Sequence, residues 1–226
     1  MNEKTAVARE IDTGLSSLFP KNVVTEVAAP WMWRAELVPE EEIIIRNAVD
    51  KRRREFTAGR TCARSILRQL GFDADVTIGK DKHGAPIWPE GIVGSISHAD
   101  QVCVVSLCRR MPGLESLGVD VEKDTGLNRD VVDLVCDAHE KEACRSARTA
   151  DSYDLAKVVF SAKESVYKCL YPVMGIVMDF KDVHIQLDVP AGKFVGTVNA
   201  SLDGEAAGGT CRGMFVHDAG HIYTGC

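Results

Sequence analysis

The chain has 226 residues, of which 45% are hydrophobic, and its 27 basic and 33 acidic residues give a formal net charge of −6. A chain of this length forms one domain or two small ones with a full hydrophobic core, which excludes a mini-protein held together by disulfides or metals. The negative charge argues against non-specific nucleic-acid binding, because such binding depends on a basic surface that neutralises phosphates.

In the N-terminal half the pattern predicts a short helix, a long helix and several strands. Pro39 followed by three glutamates is typical of a helix start, because acidic residues favour the positive end of the helix dipole. Apolar residues recur at helical spacing between Val49 and Leu70, and Gly71 is a natural stop. Strands are predicted at 76–78, 92–97 and 102–107, with a turn-rich loop at 84–89.

A linker at 109–116, which contains Met111-Pro112-Gly113, predicts a boundary near the middle of the chain. The elements after it follow an order like that of the first half, and Asp218-Ala219-Gly220 is typical of a hairpin turn. They are a strand at 117–122, helices within 131–148 and at 154–170, and strands at 183–188, 193–199, 213–217 and 222–224. We therefore predict an α+β fold of two similar α/β lobes, at 1–110 and 111–226.

Two carboxylates share one face of the predicted strand at 117–122. Side chains alternate along a strand, so Val119 and Val121 point to one side while Asp120 and Glu122 point to the other. Same-face side chains lie ~7 Å apart, which lets both carboxylates reach one divalent cation directly or through water. A solvent-facing strand edge is the more ordinary explanation unless a third group joins the pair.

The predicted helix at 154–170 supplies such a group. Opposite its apolar stripe, Lys157, Ser161, Glu164 and Lys168 recur on one polar face. Without further context, an i,i+4 ion pair between Glu164 and Lys168, worth ~0.2–0.5 kcal/mol, is the more common explanation of this spacing. A carboxylate beside a fixed cation is also what a phosphoryl-transfer site requires, with Glu164 completing a magnesium site and accepting a proton.

The segment Gly94-Ser95-Ile96-Ser97-His98 has the composition of an anion-binding loop. Small residues let backbone amides approach an anion, and Ser97 and His98 add side-chain donors. The chain has no Gly-x-Ser-x-Gly elbow, and adjacent residues on an extended chain point to opposite sides. A serine hydrolase is therefore disfavoured.

A basic segment lies on the long predicted helix of the first half. Residues 46–68 carry a net charge of +6, against −12 for the rest of the chain. A solvated face is the ordinary explanation for any single arginine. Over several turns, however, some must point inward, where a guanidinium binds phosphate in bidentate fashion. The basic residues are Arg46, Lys51, Arg52, Arg53, Arg54, Arg60, Arg64 and Arg68.

The cysteines and the N-terminal residues together predict the cellular compartment of the protein. The eight cysteines are scattered without any Cys-x-x-Cys pair, so we interpret them as reduced thiols. The first dozen residues include five charged ones and lack the apolar run of a signal peptide. Since no window approaches the ~18 continuous apolar residues of a membrane span, we expect a cytoplasmic protein.

Four segments, taken in order, form a recognisable pattern. They are RRREFTAGRTCAR at 52–64, GAPIWPEGIVGSISH at 84–98, GVDVE at 118–122 and FSAKESVYKCLYP at 160–172. Together they resemble the Sfp-type 4′-phosphopantetheinyl transferases, particularly the branch of enterobactin synthase component D. The resemblance runs from about residue 39 to residue 182, and four motifs in the family's order make a chance match very improbable.

This resemblance implies a pseudo-twofold α+β fold with coenzyme A in the cleft between the lobes. The implied reaction moves the 4′-phosphopantetheine arm of coenzyme A onto a serine of an acyl, peptidyl or aryl carrier protein, releasing adenosine 3′,5′-bisphosphate. The implied cofactor is Mg²⁺, for which Mn²⁺ substitutes, and the implied partners are coenzyme A and apo carrier proteins. A monomer with no nucleic-acid or membrane partner is the family expectation.

The resemblance also assigns roles to residues of the catalytic centre. Asp120, Glu122 and Glu164 look like the magnesium ligands. Glu164 is the preferred general base for the serine hydroxyl, acting directly or through water. Lys168 and His98 look like pyrophosphate ligands that stabilise charge during transfer.

For the nucleotide end, the resemblance implies a grip on phosphates by Ser97 with Arg52 and Arg60. Many relatives have a lysine in the middle of Gly-x-Pro, where this chain has Ala85. The cation for the 3′-phosphate must therefore be Lys80 or Lys82, of which we favour Lys80.

Two other classes of function compete with this interpretation. A metal-dependent phosphodiesterase or nuclease would use the same three carboxylates but explains neither the Gly-Ser-Ile-Ser-His loop nor the order of the motifs. A module that binds coenzyme A or a carrier without chemistry is disfavoured because all three carboxylates are present.

Overall fold

The computed structural model describes residues 12–147, 153–198, 201–202, 205–206 and 209–226. Its N-terminal half contains two short helices, one long helix, five strands and a 3₁₀ turn within these residues. The elements are α1 (Asp12–Leu15), β1 (Val24–Val27), a 3₁₀ turn (Pro30–Arg34), α2 (Pro39–Ile45), α3 (Asp50–Gln69), β2 (Gly79–Lys80), β3 (Pro86–Ile87), β4 (Ile92–Ala99) and β5 (Val102–Arg109).

The C-terminal half contains a second long helix and a larger sheet. The elements are β6 (Val119–Lys123), α4 (Arg129–Val135), α5 (Ala138–Ser146), α6 (Leu155–Met174), a 3₁₀ turn (Phe180–Asp182), β7 (Val183–Asp188), β8 (Lys193–Val198), β9 (Ser201–Leu202), β10 (Glu205–Ala206), β11 (Gly209–Asp218) and β12 (His221–Gly225). The chain is thus a mixed α/β protein. Within the described residues, no helix has both the length and the apolar character needed to cross a bilayer.

Each long helix covers one antiparallel sheet. Helix α3 buries Ile66 and Leu67 with Leu107 of the sheet ordered β1-β5-β4. Helix α6 buries Val158 and Val166 in the core of the sheet ordered β6-β12-β11-β8-β7. Burial of these apolar stripes stabilises both units, each large aliphatic side chain contributing about 1.5–3 kcal/mol.

The two halves meet where β4 lies against β6. The hydroxyl of Ser95 donates to the carbonyl of Val119 at 3.4 Å, and Val104, Val121 and Tyr223 pack in a core shared by the two sheets. The two sheets covered by the long helices have three and five strands, and two further sheets of two strands each pair β2 with β3 and β9 with β10. The predicted twofold similarity of the lobes, with its boundary at residue 110, stays a prediction.

Gly118, just before β6, lies against the backbone of α6. A Cβ at this position would be 1.9 Å from the carbonyl oxygen of Ser165 and 2.7 Å from the amide nitrogen of Cys169. Gly118 also exchanges two backbone hydrogen bonds with Cys226, of 2.8 and 3.0 Å. Glycine therefore sets how closely β6 approaches α6.

The strand predicted at 76–78 is wrong, because β2 begins only at Gly79. The amide of Ile78 donates to Oε1 of Glu41 at 2.9 Å, and its carbonyl accepts from Nε of Arg60 at 2.8 Å. Side chains thus form the hydrogen bonds to the Ile78 backbone that a neighbouring strand would otherwise form. The loop predicted at 84–89 includes the short strand β3.

Most other elements are confirmed. The turn between β11 and β12 has positive φ at Ala219 and Gly220, as the hairpin pattern predicts. The last long helix continues past its predicted end to Met174 and stops at Gly175, whose φ is +69°. The predicted ends at Arg148 and Asn199, and the charged residues before position 12, lie outside the described residues.

Candidate active site

Asp120 lies at the junction of β4, β6 and α6. Its carboxylate is 2% exposed and accepts hydrogen bonds from Ser97 at 2.7 Å and from Lys168 at 2.5 Å, both on Oδ1. Its Oδ2 accepts from the hydroxyl of Ser161 at 2.7 Å. One cation and two hydroxyls therefore compensate a carboxylate that burial would otherwise destabilise.

A second layer of hydroxyls supports this centre. Thr224 of β12 donates to the carbonyl of Ser161 at 2.9 Å, and the two hydroxyl oxygens lie 3.0 Å apart. The ammonium of Lys168 also donates to Ser97 at 3.0 Å. Ser161 belongs to the predicted polar face of α6, but nothing in the sequence indicated Thr224.

The other two predicted metal ligands flank Asp120. Burial and the negative charge of Asp120 raise the pKa of Glu122 to about 7, against the opposing effect of Lys157 at 3.5 Å. Burial also raises the pKa of Glu164, where Lys168 opposes and Asp120 reinforces the shift. Among the described residues, the side chain of Glu164 forms no hydrogen bond or ion pair, and Lys168, its neighbour at i+4, pairs with Asp120 instead.

These three residues have the donor chemistry of a magnesium site, because Mg²⁺ prefers hard carboxylate oxygens. Burial is the main cause of the raised pKa of Glu122 and of Glu164, and the charge of Asp120 adds to both shifts. Lysines contact two of them, Asp120 and Glu122. Among the described side chains, the three do not yet form a group whose ligand atoms all lie within 4.8 Å of one another.

On the other side of Lys168 lies a pair of anion-binding candidates. Nη1 of Arg52 is 2.8 Å from Nε2 of His98, and Glu55 lies 3.6–3.7 Å from both. Burial lowers the pKa of His98, with Arg52 and Lys168 reinforcing the shift and Glu55 opposing it. His98 therefore favours its neutral form and accepts a hydrogen bond from Arg52.

Arg60 is buried, and its guanidinium holds the backbone that leads to Lys80. It donates to the carbonyls of Ile78 at 2.8 Å and Gly79 at 2.9 Å, while its carbon stands 4.4 Å from the centre of the Phe56 ring. Burial lowers the pKa of Arg60 to about 10. The structure does not bring this side chain to Arg52, Ser97 or Lys168 by any hydrogen bond among the described residues.

Lys80 and Lys82 are exposed on the β2–β3 hairpin. Asp81 between them accepts from the amides of His83 and Ala85, both at 2.9 Å, and from the phenol of Tyr171 at 2.7 Å. The hairpin is thereby tied to α6. Neither Asp81 nor Tyr171 was predicted, although Asp-x-x-Gly, which is Asp81 to Gly84 here, is a pattern typical of such a turn.

Two cavities follow α6 on either side of Tyr167. One, of about 190 Å³, lies between the loop at 83–86, β4 and Lys168. The other, of about 380 Å³, is lined by Glu164 with Met178 and Phe180. Substrate groups entering from two directions would therefore meet at the face of α6 that carries Glu164 and Lys168.

Carboxylates and cations held together in this way are typical of enzymes that transfer phosphoryl groups. The family model described as the 4′-phosphopantetheinyl transferase N-terminal domain matches residues 40–108, and that of the 4′-phosphopantetheinyl transferase superfamily matches residues 116–206. The chain belongs to this superfamily, whose members transfer phosphopantetheine from coenzyme A to carrier proteins.

Individual relatives agree with the family models. The transferase PptT of Mycobacterium tuberculosis is 30% identical over 95% of this chain and 97% of its own length. The transferase Svp of Streptomyces mobaraensis is 36% identical over 86% of this chain and 79% of its own length. Enterobactin synthase component D of Salmonella typhi is 33% identical over 55% of this chain and 50% of its own length.

Proposed function

We propose that this transferase moves the 4′-phosphopantetheine arm of coenzyme A to a serine of an apo acyl, peptidyl or aryl carrier protein in a Mg²⁺-dependent reaction. Adenosine 3′,5′-bisphosphate is the second product. The observation that carries the proposal is the junction at Asp120, where residues from β4, β6 and α6 bring a buried carboxylate, an ammonium and two hydroxyls together.

Asp120, Glu122 and Glu164 are the proposed ligands of Mg²⁺, for which Mn²⁺ substitutes. An ion held by these residues would supply positive charge that offsets the negative charge developing on the leaving group. Its affinity depends on the ionised carboxylates. Burial and, after it, repulsion from Asp120 raise the pKa of Glu122, and a bound cation would relieve that repulsion.

The chain's own residues position and neutralise the substrate. Lys168 and the Arg52–His98 pair are proposed to bind the pyrophosphate, with Ser97 as a further donor. The basis is that Lys168 contacts Ser97, that Arg52 contacts His98, and that Ser97 and His98 are adjacent in β4. Preorganised donors of this kind are effective because they need no rearrangement during the reaction. Lys80 or Lys82 binds the 3′-phosphate from the hairpin.

Arg60 has a different proposed role from direct phosphate binding. Two of its donors are used by the carbonyls of Ile78 and Gly79, so we assign it the positioning of Lys80. Such a residue acts on coenzyme A affinity through the hairpin that it holds.

Glu164 is the proposed general base. Its carboxylate lines the 380 Å³ cavity next to the Asp120 centre, and its raised pKa increases its basicity. The serine hydroxyl of the carrier would lose its proton to Glu164 directly or through one water. The serine oxygen then attacks the β-phosphorus in line.

The remaining expectations belong to the same proposal. Two lobes divided near residue 110 are supported by family models that end at 108 and begin at 116. Coenzyme A lies in the cleft between them. A cytoplasmic location agrees with the free cysteines of the chain. A monomer without nucleic-acid or membrane partners is part of the same proposal. Carriers of siderophore biosynthesis are candidate acceptors because several relatives are named enterobactin synthase component D.

The experiment is mass spectrometry of apo carrier proteins incubated with the enzyme, coenzyme A and Mg²⁺, using fatty-acid, polyketide, peptide and siderophore carriers. We expect at least one carrier to gain the mass of phosphopantetheine, and omission of Mg²⁺ to prevent the gain. Failure with every carrier contradicts the proposal. Cleavage of coenzyme A without an acceptor would instead indicate a phosphodiesterase, and binding without any product a module that has lost its chemistry.

A further inference from the structure

Three cysteine side chains from separate elements converge beside the end of α6. Cys169 lies on α6, Cys211 on β11, and Cys226 directly after β12. The sulfurs of Cys169 and Cys211 are 3.7 Å apart, and all three sulfurs lie within 4.8 Å of one another. The proposed transfer reaction uses none of them.

The spacing of the sulfurs matches a thiolate-bound metal. Zinc binds thiolates at ~2.3 Å in a tetrahedral arrangement, which places two sulfurs of one site ~3.8 Å apart. A disulfide would join two of the cysteines, contract their sulfurs to ~2.05 Å and leave the third unused. A single ion explains the convergence of all three.

The backbone around the cluster holds the ligands in place before any ion binds. Cys226 exchanges two backbone hydrogen bonds with Gly118, and the carbonyl of Cys169 accepts a hydrogen bond from the hydroxyl of Ser116. Ligands fixed by the fold lower the entropy loss of binding. The cluster is thus built by three segments that are already packed together.

The cluster borders a surface groove. Cys211 and Cys226 are partly exposed, and Cys226 lines an open groove of about 820 Å³ together with Phe19 and Met214. This groove is distinct from the two cavities that flank Tyr167. Metal exchange at the cysteines would therefore not require opening the candidate active site.

We propose that Cys169, Cys211 and Cys226 form a Zn²⁺ site with three thiolate ligands and a water in the fourth position. Binding releases the thiol protons to solvent and involves no redox change. The ion links the end of the large sheet to α6 at the residue next to Lys168. It stabilises the folded chain because the unfolded chain does not hold the three thiols together.

The test uses the full chain, reduced and freed of metal by a chelator. Excess Mg²⁺ is then added, so that the proposed carboxylate site is occupied and does not take up Co²⁺ or Zn²⁺. Titration with Co²⁺ reports thiolate ligation through a sulfur-to-cobalt charge-transfer absorption, and Zn²⁺ is then added in competition. We expect one Co²⁺ per chain, loss of the absorption as Zn²⁺ replaces it, and a higher Tm with Zn²⁺.

Matched variants separate the cluster from other thiols. Cys211→Ser and Cys226→Ser, tested singly, should each weaken Zn²⁺ binding by at least about 100-fold. Cys144→Ser, at a partly buried cysteine outside the cluster, should leave it unchanged. The metal-free Tm of each variant is measured first and shows whether that variant folds. If one of the two cluster variants does not fold, the other one tests the proposal.

Three results would overturn the proposal. The first is the absence of a charge-transfer band with Co²⁺, and the second is a Zn²⁺ affinity that survives both substitutions in the cluster. The third is loss of two hydrogen masses from the chain in place of metal uptake, which would show a disulfide between two of the cysteines. None of these readouts depends on transferase activity.

Discussion

The ammonium of Lys168 lies 2.5 Å from Oδ1 of Asp120, although the two residues are 48 positions apart and belong to a helix and a strand. The contact ties the face of α6 that carries Glu164 to the strand that carries Glu122. A hydroxyl from β4, that of Ser97, contacts both partners. The face of α6 that carries Glu164 and Lys168 is therefore in register with both sheets.

Lys168→Ala should reduce both stability and transfer. Asp120 would lose its cation while remaining buried, which costs about 1–3 kcal/mol of unfolding free energy. Loss of a preorganised cation should lower kcat by about 10²–10³. Urea unfolding without Mg²⁺ and the carrier assay measure the two effects.

The control for Lys168 is Lys141→Ala, because Lys141 pairs with the exposed Asp133 at 2.6 Å. An exposed pair contributes about 0–1 kcal/mol. Equal losses of stability in the two variants would contradict the assigned role of Lys168.

Glu164→Gln should stop transfer while coenzyme A binding stays within a few-fold of the parent. The amide keeps the shape of the side chain but cannot accept the serine proton, so kcat should fall by about 10²–10⁴. Single-turnover mass spectrometry and calorimetric titration with coenzyme A measure the two steps. The control Glu142→Gln, at an exposed carboxylate on α5, should change neither transfer nor coenzyme A binding. Near-normal turnover of Glu164→Gln would place the base at Glu122 or a water.

Arg60→Met should weaken coenzyme A binding by about 1.5–3 kcal/mol and also reduce stability, because two backbone carbonyls lose a charged donor. Methionine preserves much of the packing on Phe56. If Arg60 acts through Lys80, adding Lys80→Ala to Arg60→Met should weaken binding by much less than Lys80→Ala does alone. Strict additivity in calorimetry would instead support separate phosphate contacts.

Glu41→Gln should be strongly destabilising. Glu41 and Arg64 form a buried pair, with Nη1 of Arg64 at 2.7 and 2.6 Å from the two carboxylate oxygens. Removing one partner of such a pair costs about 3–5 kcal/mol, whereas apolar replacement of both can be nearly neutral. The double variant Glu41→Met with Arg64→Met should therefore recover part of the loss in urea unfolding, and no recovery would refute this account.

Asp137→Asn should remove a pH dependence of stability without removing a helix cap. Asp137 caps α5 by accepting from the amide of Glu140 at 2.9 Å and contacts Nδ1 of His184 at 2.6 Å. Burial alone would raise the pKa of Asp137, but these hydrogen bonds outweigh it and lower the pKa below its ordinary value of 3.8.

A lowered carboxyl pKa stabilises the fold above the unfolded pKa and stops doing so as pH falls through the folded pKa. The stability advantage of the parent over Asp137→Asn should therefore be constant near neutral pH and shrink below about pH 4. Asparagine is itself a good N-cap, so the remaining difference is electrostatic. An advantage that persists unchanged to pH 2 would contradict the assignment.

Sequence periodicity predicted the long helices and the main strands because their apolar stripes face a core. It also placed Asp120 and Glu122 on one strand face, and Glu164 and Lys168 on one helix face. It did not predict that Lys168 would contact Asp120 in preference to Glu164, since that choice depends on how α6 packs against β6. The partners Thr224, Asp81 and Tyr171 were missed for the same reason.

The arginines of α3 show a second limit of sequence reasoning. Charge counting identifies a basic helix and predicts that its inward-facing arginines bind phosphate. Arg64 does face inward, but it meets Glu41, and Arg60 meets backbone carbonyls. Nothing in the helical pattern distinguishes an arginine that binds a ligand from one that supports a loop.

Position 118 must be a glycine if α6 is to keep its place beside β6. Any side chain at this position would press on the α6 backbone at Ser165 and Cys169, two residues that bracket Lys168. The helix would then shift as one unit, and the side chains of Glu164 and Lys168 would both move away from Asp120. In a mutational scan, position 118 would therefore behave like a residue of the reaction centre, although it has no side chain with which to touch a substrate.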